Sequence, residues 1–94
     1  MDHLKNYNFV LDFVFDRLNI NRFSDTAIID NLQSNKIAEV FFFEREGVLR
    51  EAIYKNGIYY DLSLMSILSK DYHRHKLAGD YEIKNIIRRF AKSK

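Results

Sequence analysis

Two histidines, an arginine, two lysines and a tyrosine crowd the stretch KDYHRHKLAG at positions 70–79. In an extended segment His73 and His75 would project to one face and form half of a metal site; in a helix their side chains diverge by about 200°. A third ligand would have to be Asp71, Asp80 or His3, and no spacing argues for any of them. No metal and no cofactor are therefore expected. The cluster suits a different chemistry, in which Arg74, Lys76 and the histidines meet phosphates and Tyr72 stacks on an unpaired base.

Catalysis has few other anchors. The chain lacks GxSxG, a P-loop and a dinucleotide-binding turn, and three glycines make such loops hard to build. With no cysteine there is no disulfide, thiolate nucleophile or cysteine-ligated zinc. Glu44 and Glu46 share a strand face and could act as paired carboxylates, though exposed hairpin charges are the commoner explanation. Glu82-Ile83-Lys84 spells the E-x-K of some metal-dependent nucleases, but it opens an amphipathic helix instead of lying on a buried strand. The reading is of a protein that is not an enzyme. A small ribonuclease toxin, positioning RNA with residues 72–76, stands as the enzymatic alternative by fold-level analogy.

Ninety-four residues, 47% hydrophobic and 30% charged, describe a single domain over 1–94. The net charge of +2 is unevenly spread. Residues 1–69 hold seven Lys/Arg against ten Asp/Glu, whereas residues 70–94 hold eight against three. A basic end of this kind attracts phosphate or an acidic protein surface. The longest apolar run, Val40–Phe43, is far short of the roughly 20 residues that span a bilayer. Asp12 interrupts the apolar N-terminal stretch, so a signal peptide is not expected and a cytoplasmic location is the default.

Helical periodicity groups Leu4, Tyr7, Val10, Leu11, Val14, Phe15 and Leu18 on one face of a first helix over 4–18, with Lys5, Asn8, Asp12 and Asp16 opposite. Phe9 and Phe13 form an i, i+4 pair on its flank, continued by Arg17. If they stay exposed they mark a protein interface, including a homodimer contact. Ser24 reads as the N-cap of a second helix with Ile28, Ile29 and Leu32 inward, ending near 33–35. Val40–Phe43, Val48–Lys55 and Ile58–Asp61 read as three strands of an antiparallel meander, with Asn56-Gly57 as the hairpin turn. Phe41 and Phe43 would share one face of the first strand, apolar on both sides. Leu62–Ser69 switches to helical spacing, Gly79 ends that helix and Asp80 caps the next. In that last helix Ile83, Ile86, Ile87 and Phe90 face inward, and Lys84, Arg88, Arg89 and Lys92 spread across the outside.

The expected architecture is α+β: two N-terminal helices, a three-stranded antiparallel meander and C-terminal helices packed on the sheet. The expected function is a small non-enzymatic binding or regulatory protein. Its basic helix, with Tyr72, His73, Arg74, His75 and Lys76, would engage nucleic acid or a nucleic-acid-bound protein machine. A small inhibitor of a host enzyme or defence complex, of phage or mobile-element type, is the alternative. No membrane partner is expected.

Overall fold

The computed structural model describes the backbone of residues 2–92 and the side chains of residues 6–92. Expectations for His3, Leu4 and Lys5 therefore lie outside the described side chains. Helix α1 spans Asp2–Asp12 and widens at once into a π-helical turn, Phe13–Arg17, in which the Leu18 N–H reaches the Phe13 carbonyl at 3.1 Å. That wider turn shifts the helical phase by a residue. Leu11, Val14 and Phe15 are buried as the wheel requires, but Val10 and Leu18 end up exposed, correcting their placement in the core.

The supposed second helix does not start at Ser24. Residues Arg22–Ile28 form strand β1, and helix α2 runs from Leu32 to Val40. Its N-cap is Asn31, whose side chain accepts from the Ser34 N–H at 3.1 Å. The buried Asn35 fixes this corner: its amide donates to the carbonyls of Ile28 at 3.2 Å and Asn31 at 2.7 Å, and its oxygen accepts from the Ser63 hydroxyl at 2.6 Å. Val40–Phe43 is likewise not a strand; Val40 closes α2, Phe41 and Phe42 turn the chain, and Phe41 and Phe43 both enter the core.

Strands β2 (Glu44–Lys55) and β3 (Ile58–Leu68) form a long hairpin. Asn56 (φ 53°) and Gly57 (φ 81°) supply the left-handed pair that a type I′ turn needs. β3 absorbs residues 62–68, which had read as helix, and lies in the middle of a sheet of order β1-β3-β2 with both pairings antiparallel. The sheet is three-stranded and antiparallel as expected, but its first strand is Arg22–Ile28 and the order is not that of a meander. β1 matches β3 residue for residue from Arg22↔Leu68 to Ile28↔Leu62. β2 does not: its register slips at Glu46 and again across residues 50–52, where Glu51 has φ 47°. The extra residues are β-bulges.

Helix α3 covers Ser69–Leu77 and helix α4 Ile83–Lys92. Gly79 (φ 80°) terminates α3 as expected. Asp80 does not cap α4; it completes the end of α3 instead, its N–H donating to the His75 carbonyl at 3.0 Å. The core joins Leu11, Val14 and Phe15 to Phe41, Phe43, Met65, Ile67, Tyr72, Tyr81 and Ile86. α4 packs chiefly on α2 and α1, so the last helix rests mainly on other helices. Among the described residues no helix is long and apolar enough to cross a membrane.

Candidate functional site

The position of β1 opens a cavity of about 400 Å³ between α1, β1 and α2, floored by Met65. That volume falls within the ~300–1,000 Å³ range of small-molecule pockets. Val10 of α1, Phe23 and Ala27 of β1, and Ile37 and Ala38 of α2 make most of the wall apolar. Asn6, Tyr7, Asp25, Thr26 and Ser34 add the polar groups. Because Ile29 donates to the Asp61 carbonyl across the ladder at 2.9 Å, odd-numbered residues of β1 direct their backbone groups at β3 and even-numbered ones direct theirs away. The outward N–H of Thr26 is taken up by Asp25 Oδ1 at 2.8 Å. Asp25 Oδ2 accepts from the Tyr7 hydroxyl at 3.4 Å. Burial, and then the adjacent Asp25 charge, push the Tyr7 pKa upward and keep its phenol protonated. The slot thus holds one carboxylate that can take a proton and one phenol that keeps its own and orients that carboxylate. Among the described residues no lysine or arginine lines it.

In the cluster of the 70s Tyr72 is buried, while His73, Arg74 and Lys76 stay exposed and pair with carboxylates. Tyr72 has no exposed surface; its ring stacks on Phe15 at 4.9 Å and its hydroxyl donates to Asp12. Lys76 Nζ donates to Asp12 Oδ1 at 2.9 Å, Asp16 Oδ2 at 2.8 Å and the Tyr72 oxygen at 3.1 Å. The bond to Asp16 is the chief reason the Lys76 ammonium is held above its ordinary pKa, and the same bond holds the Asp16 carboxyl below its own. His73 Nε2 lies 3.0 Å from Asp16 Oδ1, and Arg74 reaches Asp71 at 3.4 Å. His75 stacks on Phe42 with centroids 3.7 Å apart and sets Nδ1 2.8 Å from Asp80 Oδ2. The two histidines therefore address different elements. Glu46 pairs with Arg22, while Glu82 lies beside Gly79.

On α4, Lys84, Arg88 and Lys92 are exposed. Arg89 is turned inward, donating from Nε to the Val40 carbonyl at 3.1 Å and from Nη2 to the Asp80 carbonyl at 2.5 Å. Burial lowers its pKa. Phe9, Phe13 and Arg17 are exposed together along the first helix and its π-helical extension, with Phe9 at 70% and Phe13 at 43%.

No protein-family model matches the chain. Its sequence is 36% identical over 59 residues to the uncharacterized N-acetyltransferase YoaA of Bacillus subtilis (strain 168), covering 63% of this chain and 33% of that protein. It is 30% identical over 67 residues to the putative ribosomal N-acetyltransferase YdaF of the same organism, covering 71% and 37%. A solved GCN5-related N-acetyltransferase from Brucella melitensis matches with a TM-score of 0.78 at 25% identity, over 88% of this chain and 38% of that one. The α+β fold is thus similar to that of a GCN5-related N-acetyltransferase. The chain spans about a third of the length of the curated relatives it matches.

These likenesses overturn the expectation of a non-enzymatic protein that binds nucleic acid, regulates it or inhibits a host enzyme, and they point to enzymatic function. They also displace the ribonuclease alternative. The missing nucleophile and glycine-rich loop misled because not every enzyme needs either one. No short motif joins Tyr7 to Asp25, 18 positions later. The available signal was a carboxylate amid Phe23 and Ala27 at the inward positions of an alternating segment.

Proposed function

We propose that this chain contributes to the transfer of an acetyl group from an activated donor, such as a thioester, to an amine. The observation that carries the reading is the apolar slot holding Asp25 and Tyr7, in a chain similar to N-acetyltransferases. Val10, Ile37, Ala38 and Met65 keep water from the acetyl methyl group and from a thin uncharged donor arm. Among the described residues the lining offers no cation to an anionic part of the donor. The Asp25 carboxylate attracts the amine and accepts the proton that its nitrogen sheds on attacking the carbonyl carbon. The departing sulfur takes up that proton from Asp25, which the Tyr7 hydroxyl orients through its hydrogen bond.

The test is to incubate the purified chain with an acetyl thioester and primary amines, reading N-acetyl product by mass spectrometry and donor binding by NMR. Product is expected to fall about 100-fold in Asp25→Asn. Saturable donor shifts are expected at Thr26, Ala27, Ser34 and Ala38. Finding neither product nor saturable binding removes the reading.

A further inference from the structure

We propose that the uncovered face of the sheet is the docking surface for a second copy of this chain, the two sheets packing face to face about a twofold axis. Alternation along β3 separates two sets of residues. Ser63, Met65 and Ile67 are buried on the helix side. Ile58, Tyr60, Leu62, Leu64 and Leu68 therefore face the other way. A solvated face of an antiparallel sheet is ordinarily polar; this one is apolar along nearly the whole strand, broken only at Ser66. Leu49 and Ile53 of β2, paired with Leu62 and Tyr60, widen the stripe. Leu49, Ile53 and Ile58 are 43%, 36% and 54% exposed, and Tyr60, Leu62, Leu64 and Leu68 are half-buried beside them while Ser66 is buried; a contiguous apolar stripe of this kind marks a contact surface.

Charge identifies the occupant. Arg22, opposite Leu68, also lies on this face but is paired with Glu46; Glu44 sits opposite Ser66 and Lys55 opposite Ile58, so both lie on this face, one at each end of β2. Both are exposed, and neither makes an ion pair among the described residues. Laying a second copy on the first in the opposite direction brings each Lys55 beside the other copy's Glu44, with the Leu62 rows crossing at the axis. Such self-complementarity is what a twofold interface requires. The stripe is roughly 36 Å long and 10–14 Å wide from strand geometry. Its footprint of about 400 Å² per copy is near half that of a stable interface. The dimer is accordingly weak and concentration-dependent.

Sedimentation velocity on the full chain from about 10 μM to about 1 mM tests this, against Lys55→Glu, Glu44→Lys and the double exchange. Both residues are exposed, so the fold tolerates the changes. Each single reversal is expected to raise the dissociation constant about five- to tenfold, and the double exchange to restore it to within about twofold. A monomer at every concentration overturns the proposal and leaves the face to some other covering. So does a dimer indifferent to all three exchanges. A dimer lost only in Phe9→Ser with Phe13→Ser overturns it too, placing the contact on α1.

Discussion

Helices α2 and α3 end in the same hydrogen-bond pattern, one on a phenylalanine and the other on a glycine. At the end of α3, Gly79 N–H donates to Lys76 and Asp80 N–H to His75, at 3.1 and 3.0 Å. At the end of α2, Phe42 N–H donates to Glu39 and Phe43 N–H to Ala38, at 2.9 and 3.0 Å. Both are Schellman motifs, and both need a left-handed residue at the turn. Gly79 adopts φ 80° without a side chain in the way; Phe42 adopts φ 71° despite one, at a cost of about 1–2 kcal/mol. Distant groups offset that cost. The Phe42 ring lies between His75, 3.7 Å away, and the Arg89 guanidinium, 4.5 Å from its centroid. Arg89 also satisfies the Val40 carbonyl, and the Tyr81 hydroxyl donates to the Phe41 carbonyl at 3.0 Å. The last turn of α3 carries its own basic residues, Arg74, His75 and Lys76, whereas that of α2 has none. One terminus is finished by its own segment, the other by residues more than 30 positions away.

Substitutions can break this comparison. Phe42→Ala removes the ring and keeps the backbone strain, so it is expected to cost roughly 2–3 kcal/mol in urea denaturation. Gly79→Ala is expected to cost about 1–2 kcal/mol, because any side chain is strained at that φ; its Cβ would also stand 2.8 Å from Glu82 Oε2. Phe42→Gly gives up the ring but relieves the turn, so it should be about 1 kcal/mol more stable than Phe42→Ala. If the two are equal, Phe42 is not strained and the comparison fails. The smallest effect concerns acid. Asp16 titrates below its ordinary value of 3.8 in the folded chain, chiefly through Lys76 in the last turn of α3. Its contribution is therefore present above that value and is lost as pH falls through the folded titration. Asp16→Asn should lessen the drop in urea midpoint between about pH 6 and about pH 3.

The same contrast explains what could be read from the residues alone. Asn56-Gly57 and Gly79 carry their conformations in their own chemistry, and both were legible. The end of α2 was not, since VFFF has strand propensity and the groups that close the helix lie on α3, α4 and the segment between them. β1 was hidden because Ser24 satisfies a capping rule that its neighbours do not use. Residues 62–68 have apolar side chains on both faces, which helical and strand spacing fit equally; only continuation of the alternation from Ile58 would have decided it. The slot was less legible still. Its walls come from four elements, and no spacing in the chain announces that Tyr7 and Asp25 meet.

The two bulges of β2 have a consequence for crowded solutions. A long unbroken outer strand invites neighbours to add on side by side and to grow into fibrils. Here the surplus residues at Glu46 and 50–52 throw that outer rim out of step, so each molecule offers an incoming strand a rail with missing ties. On the opposite rim, the Thr26 amide is already occupied by Asp25. Lateral stacking thus meets an interrupted ladder on the β2 rim and one amide already taken on the β1 rim.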